Sequence, residues 1–394
     1  MNREKLRELL PLTGTPAYIF DLDEFGERAA LVRKSFGEKI GMCFSIKANP
    51  FLLKYLPAEF DKIEVCSPGE LTICERLGID MSKVIFSGVN KTRADVERAA
   101  DDGVGTFTAE SMLHLELINQ AALDRGQVYP LLLRVTDSRG ASQFGMDEAA
   151  VLDIIRNRRE YEGVEIVGLH YFTGTGKKKA KPIEREVDYI VDLIARIRDG
   201  LGFDVRRVEY GTGLAVDYFS GGADALEEER LASVMPKLIQ LSECCELTVE
   251  MGRFFAAPCG YYLTRVVDAK TNDGDNFAIV DGGLHQLKYD GQLQGMQIPK
   301  IIRLGAESGA QPQPWNICGS LCTTADVLVR SCEFDNLAIG DVLVFCRTGA
   351  YSCMEGMSIF LSRDLPVIAL YSERGGLETV RGQILTDRFN TPVL

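Results

Sequence analysis

Short apolar runs and helical patterns alternate through the middle of the chain. Eight runs with the character of buried strands are separated by segments of helical periodicity or by crossovers. Strands joined in this way are parallel, and eight parallel strands can close a barrel. The predicted strands are 42–47, 63–66, 84–87, 106–109, 131–135, 166–171, 208–210 and 247–250, and the predicted helices are 23–36, 69–77, 93–100, 111–125, 148–159, 184–201 and 226–242. We therefore predict an α/β fold with a (β/α)8 TIM barrel over residues 23–252.

The pattern changes after Gly252. Helical periodicity almost disappears, and short strand-like runs are bounded by Gly, Asp and Asn. The predicted strands here are 261–267, 277–280, 300–304, 326–334, 341–345, 357–361 and 366–371. We expect residues 253–394 to form an antiparallel β domain that also takes in residues 1–22, with an early strand at 17–22.

Lys47 closes the first predicted barrel strand, directly before Ala48-Asn49-Pro50. Barrel enzymes place their chemistry at the C-terminal ends of the strands. Apolar surroundings there would lower the pKa of the amine and free a nucleophile. The alternative is a lysine that packs its stem on apolar surface and keeps its charge in solvent. Taken alone, the sequence around Lys47 favours the second interpretation.

Other reactive groups fall at the ends of later predicted strands. They are His170 and Phe172 after the sixth, Gly211-Thr212-Gly213 after the seventh, and Glu250, Gly252 and Arg253 after the eighth. A glycine loop offers backbone N–H donors and an arginine offers a guanidinium, which suit a phosphate. A Gly-x-Gly alone is usually a tight turn. Together with Lys47, these groups predict a phosphate-anchored cofactor held as a Schiff base, pyridoxal 5'-phosphate.

Composition narrows the possible partners. The net charge of −13 argues against nucleic acid, and no apolar run is long enough for a membrane helix. The eleven cysteines are scattered through apolar segments and are expected to be reduced thiols, and their spacing from the three histidines predicts no metal site. Lys177-Lys178-Lys179 is interpreted as a solvated loop. We expect a cytoplasmic protein that binds neither membrane nor nucleic acid.

A series of short motifs then points to a family. In chain order they are Thr15-Pro16-Ala17-Tyr18, Ser45-Ile46-Lys47-Ala48-Asn49, Val65-Cys66-Ser67-Pro68-Gly69-Glu70-Leu71, Ile85-Phe86-Ser87-Gly88-Val89, Phe144-Gly145-Met146, Gly168-Leu169-His170, Glu250-x-Gly252-Arg253, Val280-Asp281-Gly282-Gly283, Cys322-x-x-x-Asp326 and Gly349-Ala350-Tyr351. Over nearly its whole length the chain resembles the fold-type III pyridoxal-phosphate decarboxylases, which include diaminopimelate, ornithine and arginine decarboxylases.

The resemblance implies roles for the barrel residues. Lys47 would bind the cofactor and later take part in proton transfer. Glu250 would lie against the pyridine nitrogen and keep it protonated, so that the ring withdraws the electrons released when CO2 leaves. The related alanine racemases carry arginine at that place, so Glu250 favours decarboxylation. The implied phosphate ligands are Gly211, Thr212, Gly213, Gly252, Arg253 and Tyr351, and Ser87 and Arg134 would line the barrel face near the cofactor.

The resemblance also implies a homodimer with shared active sites. In the family, the segment that matches Cys322 and Asp326 reaches across a two-fold axis into the partner's site, and its cysteine gives a proton to the carbanion carbon. Cys322 is therefore the second predicted catalytic residue, with Thr323 and Asp326 as predicted substrate-binding residues. The alternative for Cys322 is a core thiol, as for most of the other cysteines.

Three departures from the family bear on substrate and cofactor. Thr323 stands where the family typically has the acid that pairs with the substrate's distal ammonium, and a buried ammonium without that acid is penalised by several kcal/mol. The segment after Val280-Asp281 reads His285-Gln286-Leu287-Lys288-Tyr289-Asp290 in place of the Arg-Pro-x-Leu-Tyr type that diaminopimelate decarboxylases carry. Phe172 replaces the histidine that usually stacks on the cofactor ring, and His170, two residues earlier, either substitutes for it or is a satisfied core histidine.

The sequence thus predicts a PLP-dependent α-decarboxylase for an amino acid whose distal end is neutral or conjugated, such as a carrier-protein thioester or a citryl amide. One alternative is a diaminopimelate decarboxylase or an ornithine or lysine decarboxylase that takes an acid from elsewhere, for example Asp290. Two others are an amino-acid racemase and a non-catalytic regulatory protein. Retention of Lys47, Arg253 and Tyr351 speaks against the regulatory protein.

Overall fold

The structure is a computed structural model that describes residues 1–136, 142–221, 223–306 and 309–393. It comprises two compact units, each described by itself. The barrel unit consists of Arg28–Val216 and Asp224–Phe255, and the β unit consists of Met1–Glu27, Asp217–Ala223 and Ala256–Leu394.

The barrel unit contains a closed barrel of eight parallel strands that pair in sequence order, the last with the first. The strands are β2 (Ile40–Ser45), β3 (Lys62–Val65), β4 (Val84–Phe86), β5 (Thr106–Ala109), β6 (Tyr129–Val135), β7 (Val164–Tyr171), β8 (Arg207–Gly211) and β9 (Glu246–Met251). The predicted TIM-barrel fold is confirmed. It forms because runs such as Val84–Phe86 and Thr106–Ala109 are buried at every position, as strands covered on both faces require.

The predicted helices are present, with ends that differ by a few residues. Helices α2–α9 are Leu22–Phe36, Pro68–Arg76, Arg93–Asp101, Met112–Arg125, Glu148–Arg156, Ala180–Leu201, Ala223–Ser242 and Arg253–Ala256, in that order. Several begin at a side chain that caps free backbone N–H groups: Ser67, Thr92, Ser111 and Asp147 each accept a hydrogen bond from the first turn that follows. These caps explain why the helix starts were predictable from the sequence.

The β unit contains a mostly antiparallel sheet, as predicted. Its strands are β1 (Ala17–Asp21), β10 (Gly260–Asn272), β11 (Asp275–Val280), β12 (Ile301–Arg303), β13 (Gln313–Cys318), β14 (Val327–Phe334), β15 (Val342–Cys346), β16 (Val367–Ser372) and β17 (Gly376–Arg381), and its helices are α1 (Arg3–Thr13) and α10 (Asp387–Asn390). Among the described strands, β1 with β16 and β11 with β13 are the parallel pairs. The predicted early strand belongs to this sheet, where β1 pairs with β10 and β16.

Part of the core of the β unit lies between α1 and the sheet. Leu6 and Leu9 of α1 pack with buried residues of β1, β10, β15 and β16. These sheet residues are Ile19, Tyr261, Leu263, Val342, Val344, Cys346 and Tyr371. The sequence interpretation did not assign α1, which contains Pro11.

Two details of the predicted elements are wrong. Strand β2 ends at Ser45, and Lys47 lies in the 3-10 turn Ile46–Ala48 that follows. Residues 357–361 form turns and the start of a short 3-10 helix in place of a strand, because Leu361 and Ser362 have φ of 56° and 51°, in the left-handed region. Across the described ranges, none of the helices has the length and apolar character needed to cross a bilayer.

Candidate active site

The Lys47 amine lies among carboxylates at the C-terminal end of β2. Its Nζ is 2.7 Å from Oε2 of Glu64, 3.4 Å from Oε1 of Glu250 and 3.5 Å from Sγ of Cys66. Glu64 comes from β3 and Glu250 from β9, the two strands that flank β2 in the barrel. The turn therefore places the amine between acids, whereas the sequence left two settings open, an apolar one and one with the charge in solvent.

Glu250 has polar partners on both carboxylate oxygens. Ser45 Oγ donates to Oε1 over 2.8 Å, and His170 Nε2 lies 3.2 Å from Oε2. Burial by itself raises the pKa of this carboxyl group, but the Lys47 charge and the His170 hydrogen bond outweigh burial and hold the pKa well below its ordinary value. Glu250 is thus an ionised carboxylate inside the barrel.

Glu209 is a second buried carboxyl group that the sequence interpretation missed. It lies on β8, level with His170 on β7, and is 1% exposed. Neither of its oxygens has a nitrogen or oxygen hydrogen-bond partner in the described part of the chain. Burial raises its pKa well above the ordinary value, and the charges of Glu250 and Glu64 raise it further. Glu209 is therefore a neutral acid, and the sequence signal was a glutamate in the middle of a buried strand.

His170 and Phe172 have separate environments. The His170 imidazole is 1% exposed and bonds to Glu250, so it supports that carboxylate from within the barrel. Phe172 follows the end of β7 and is half-buried, and its ring packs against Gly211. Which of the two roles His170 has, a substitute for the stacking residue or a satisfied core histidine, stays a prediction.

Three glycines close to the strand ends leave no room for a side chain. A Cβ atom on Gly211 would lie 2.5 Å from the Phe172 ring, and one on Gly213 would lie 2.0 Å from the carbonyl oxygen of Gly174. Gly213 also has φ of 63°, which favours glycine. A Cβ on Gly252 would lie 2.8 Å from the Ala48 Cβ. Thr212 between the first two is fully buried, and Arg253 begins α9 directly after Gly252.

Ser87 and Arg134 are held by their neighbours. Ser87 Oγ lies 3.2 Å from Thr108 Oγ1. Arg134 Nη1 lies 2.9 Å from Oε1 of Glu110, and its guanidinium is 4.8 Å from the centre of the Phe144 ring. The Arg134 charge is therefore balanced by Glu110, a partner that the sequence interpretation did not include.

The remaining predicted residues belong to the β unit. Cys322 is exposed, Thr323 is half-buried, and Tyr351 has φ of 64°. Asp326 is buried, and its carboxylate accepts hydrogen bonds from the backbone N–H of Leu284 (2.7 Å) and of Leu321 (2.8 Å). These bonds fix the loop that carries Cys322 and Thr323. Contact of Cys322, Thr323 or Asp326 with substrate stays a prediction.

Comparison with known protein families identifies the chain. Residues 22–257, more than half of its length, match the family model described as the pyridoxal binding domain of pyridoxal-dependent decarboxylases. The chain belongs to this family. It is a PLP-dependent amino-acid decarboxylase, and the predicted cofactor and reaction class are confirmed.

Two curated relatives and one solved structure show how far the similarity extends. The L-glutamyl-[BtrI acyl-carrier protein] decarboxylase of Niallia circulans is 28% identical, over 97% of this chain and 94% of the relative. The diaminopimelate decarboxylase of Aquifex aeolicus is 26% identical, over 88% of this chain and 84% of the relative. The crystal structure of diaminopimelate decarboxylase from M. jannaschii with L-lysine has a TM-score of 0.83 at 22% identity, covering 95% of this chain and 91% of that one, which shows a shared fold.

The barrel unit of this decarboxylase fits pyridoxal phosphate. Glycines 211, 213 and 252 leave bare backbone at the ends of β8 and β9, and the N–H groups of such backbone suit a phosphate. An amine and an ionised carboxylate, Lys47 and Glu250, lie together at the same end of the barrel. These groups match the aldehyde and the ring nitrogen of the cofactor.

Proposed function

We propose that this decarboxylase acts on an amino acid whose distal end is conjugated, in the form of a carrier-protein thioester. The observation that carries the proposal is the composition and geometry of the loop around Cys322. Asp326 is the only acid between Gly319 and Asp326, and both of its oxygens are bound by backbone N–H groups. With Thr323 after the cysteine, this loop offers no carboxylate to a distal ammonium.

The relatives support this proposal on independent grounds. One of them is named for decarboxylation of a glutamyl group on an acyl-carrier protein, and its similarity extends over nearly the whole of both chains. A glutamyl thioester has no distal ammonium and therefore needs no acid at position 323. The second candidate, decarboxylation of free diaminopimelate, is favoured by the Aquifex aeolicus relative and would need an acid from elsewhere, such as the exposed Asp290.

In the barrel we assign each polar group a role. Pyridoxal phosphate, when bound, supplies the electron sink for the pair left on the α-carbon as CO2 departs. Lys47 holds the cofactor through its Nζ and exchanges protons at that atom, with Glu64 2.7 Å away to orient it. Glu250 keeps the ring nitrogen protonated, because Ser45, Lys47 and His170 stabilise it as an anion. The 211–213 loop, Gly252 and Arg253 would bind the phosphate, and Tyr351 of the β unit stays a predicted phosphate ligand.

We also propose a homodimer in which Cys322 of one protomer acts in the partner's site. Its thiol would give a proton to the α-carbon after CO2 has left. Its exposure in the β unit agrees with this role, whereas most of the other cysteines are buried or half-buried. Mixing Lys47→Ala with Cys322→Ala chains tests it, because a shared site restores activity to a fraction of the mixed dimers.

The substrate proposal is tested by measuring CO2 release with added pyridoxal phosphate. The substrates are a glutamyl-loaded acyl-carrier protein, glutamyl-pantetheine, and free diaminopimelate, lysine, ornithine and arginine, with Lys47→Ala as the blank. We expect turnover of the thioesters only. Turnover of a free diamino acid at a rate equal to the thioesters would contradict the proposal.

A variant pair sharpens the test. Thr323→Asp restores an acid at the position after Cys322, and Thr324→Asp adds the same charge to the next, exposed residue. We expect Thr323→Asp to lose thioester turnover and gain activity on a free diamino acid, whereas Thr324→Asp leaves the preference unchanged. Equal substrate preference in the two variants would show that residue 323 does not select the distal end of the substrate.

A further inference from the structure

An unpaired basic cluster lies around the N-terminus of α7 in the barrel unit. We define it as Lys178, Lys179, Lys181 and Arg185, all of which are exposed. None of these four side chains forms an ion pair or hydrogen bond with any described residue. The neighbouring Lys177 differs, because it is neutralised by the buried Glu186 over 2.7 Å. Glu184 is the only acid between Lys178 and Arg185 in the sequence.

The cluster is attached to the glycine loop that we assign to the cofactor phosphate. The backbone N–H of Lys177 donates to the Gly213 carbonyl oxygen over 2.9 Å, and the N–H of Ala215 donates to the Lys177 carbonyl oxygen over 3.1 Å. Strand β7 ends at Tyr171, and the next residue, Phe172, packs on Gly211. The basic cluster therefore lies on the rim of the barrel, at the end that carries Lys47 and Glu250.

The charges of the cluster do not serve the local fold. Helix α7 has no acid in its first turn, and its N-cap residue Lys179 makes no side-chain capping bond. Cations at a helix N-terminus oppose the helix dipole. On a chain of net charge −13, four such cations concentrated at the rim form a local field of the opposite sign.

We propose that the basic cluster is the docking surface for an acidic carrier protein that delivers the amino acid on its phosphopantetheine arm. This inference rests on the proposed function. A tethered substrate reaches the barrel interior only if its carrier docks close to the rim, and the cluster meets that condition of position. An acidic carrier is repelled by the net charge of the enzyme, so its docking requires a local patch of positive charge, and the cluster supplies it.

The test compares two triple variants of the holoenzyme. Lys178→Ala/Lys179→Ala/Lys181→Ala removes three charges from the cluster. The matched control Lys34→Ala/Lys39→Ala/Lys83→Ala removes three exposed lysines that also lack ion pairs with described residues but lie near the N-terminal ends of the barrel strands. Both carry the same net charge, so a difference between them reports on position. Thermal unfolding of both variants checks that each is folded.

The probes are a glutamyl-loaded acidic acyl-carrier protein and glutamyl-pantetheine, which has the arm without the protein. We expect the cluster variant to raise KM for the loaded carrier about tenfold or more at low salt, with kcat unchanged and glutamyl-pantetheine kinetics unchanged. The control variant should match wild type. Binding of the carrier, followed by fluorescence anisotropy, should weaken with salt in wild type and show a smaller salt dependence in the cluster variant.

The outcomes separate this inference from the proposed function. If both thioesters are turned over and KM for the carrier is the same in the cluster variant as in wild type, the docking surface is wrong while the proposed function stands. Equal losses on both thioesters, or equal effects of the two variants, would also overturn the docking surface. If neither thioester releases CO2 and a free diamino acid does, the proposed function is wrong and this inference falls with it.

Discussion

Strands β8 and β9 lie side by side in the barrel, and each carries a buried glutamate with a different charge. Glu250 on β9 bonds to Ser45, Lys47 and His170 and is held ionised. Glu209 on β8 has no nitrogen or oxygen partner within the described residues and is held neutral. Both are desolvated, so burial does not decide between them. The charge of a carboxyl group in this interior is set by the partners that neighbouring strands supply.

The largest expected effect comes from replacing Glu250 by glutamine, and the same change at Glu209 is its control. Glu250→Gln removes the charge that keeps the ring nitrogen protonated, and we expect kcat to fall by about 10²–10³-fold, as when one preorganised electrostatic partner is lost. Glu209→Gln replaces a neutral acid by a neutral group of similar shape, and we expect kcat to change less than about threefold. Steady-state CO2 release measures both, and similar losses in the two variants would refute the assignment of charges.

The pH dependence of stability gives the next effect. The folded-state pKa of Glu209 lies above the ordinary value of 4.5, so its contribution to stability is complete below that pH and is lost as pH rises towards the folded-state pKa. Over that window the unfolded chain has released a proton that the folded chain keeps, which costs about 1.4 kcal/mol per pH unit. Glutamine does not titrate. We therefore expect Glu209→Gln to gain stability relative to wild type as pH rises above 4.5.

Urea unfolding at several pH values measures this difference. The opposite sign is expected of Glu250, whose lowered pKa gives stability that is present above 4.5 and is lost as pH falls through the folded-state value. A stability difference between Glu209→Gln and wild type that does not vary with pH would mean that folding does not raise the pKa of Glu209.

His170→Phe tests the support of Glu250 from within the barrel. The change removes the partner 3.2 Å from Oε2, and we expect kcat to fall about tenfold, the size of one hydrogen bond to a charged group. The pKa of Glu250 should rise, so the acid limb of the pH–rate profile should move to higher pH. Tyr171→Phe is the control, because Tyr171 packs against the rings of Tyr189 and Tyr210. If the acid limb of the pH–rate profile does not move, His170 does not affect the ionisation of Glu250.

Among the partners of Glu250, Ser45 is expected to give the smallest effect when it is replaced by alanine. The change removes one hydroxyl that donates to Glu250 over 2.8 Å and leaves the contacts to Lys47 and His170 in place. We expect a loss of about 1 kcal/mol in unfolding free energy and a change in kcat below about fivefold. A loss as large as that of Glu250→Gln would show that the three partners of Glu250 act as a unit and not one by one.

Much of the barrel was predictable because its signals are local. Most of the eight strands contain a short apolar run, and the carboxyl ends of parallel strands meet at one end of a barrel, so Lys47 and Glu250 were expected at the same end. Glu64 and Glu209 were missed for a physical reason. A single acid within an apolar run is visible, but which side chains face it depends on the register of neighbouring strands.

The β unit was less predictable because its strands carry weaker patterns. Strand β13 contains Pro314, and its apolar alternation is limited to Trp315 and Ile317 on either side of Asn316. Strand β17 is an edge strand with no buried residue. In residues 357–361 the apolar pattern is present but the strand is absent. Met357, Ile359, Phe360 and Leu361 are apolar but exposed, and the apolar run predicted a strand that the left-handed backbone at Leu361 prevents.

The two backbone bonds of Lys177 have a consequence for how the rim opens. They join the segment after β7 to the segment after β8, at Gly213 and Ala215. We expect two segments tied in this way to open as one cooperative unit, so that their protected amide protons share one opening free energy. Hydrogen exchange in the loop that carries the basic cluster would therefore report on the loop that we assign to the phosphate. A carrier protein bound to the basic cluster would therefore slow the opening of the loop that we assign to the phosphate.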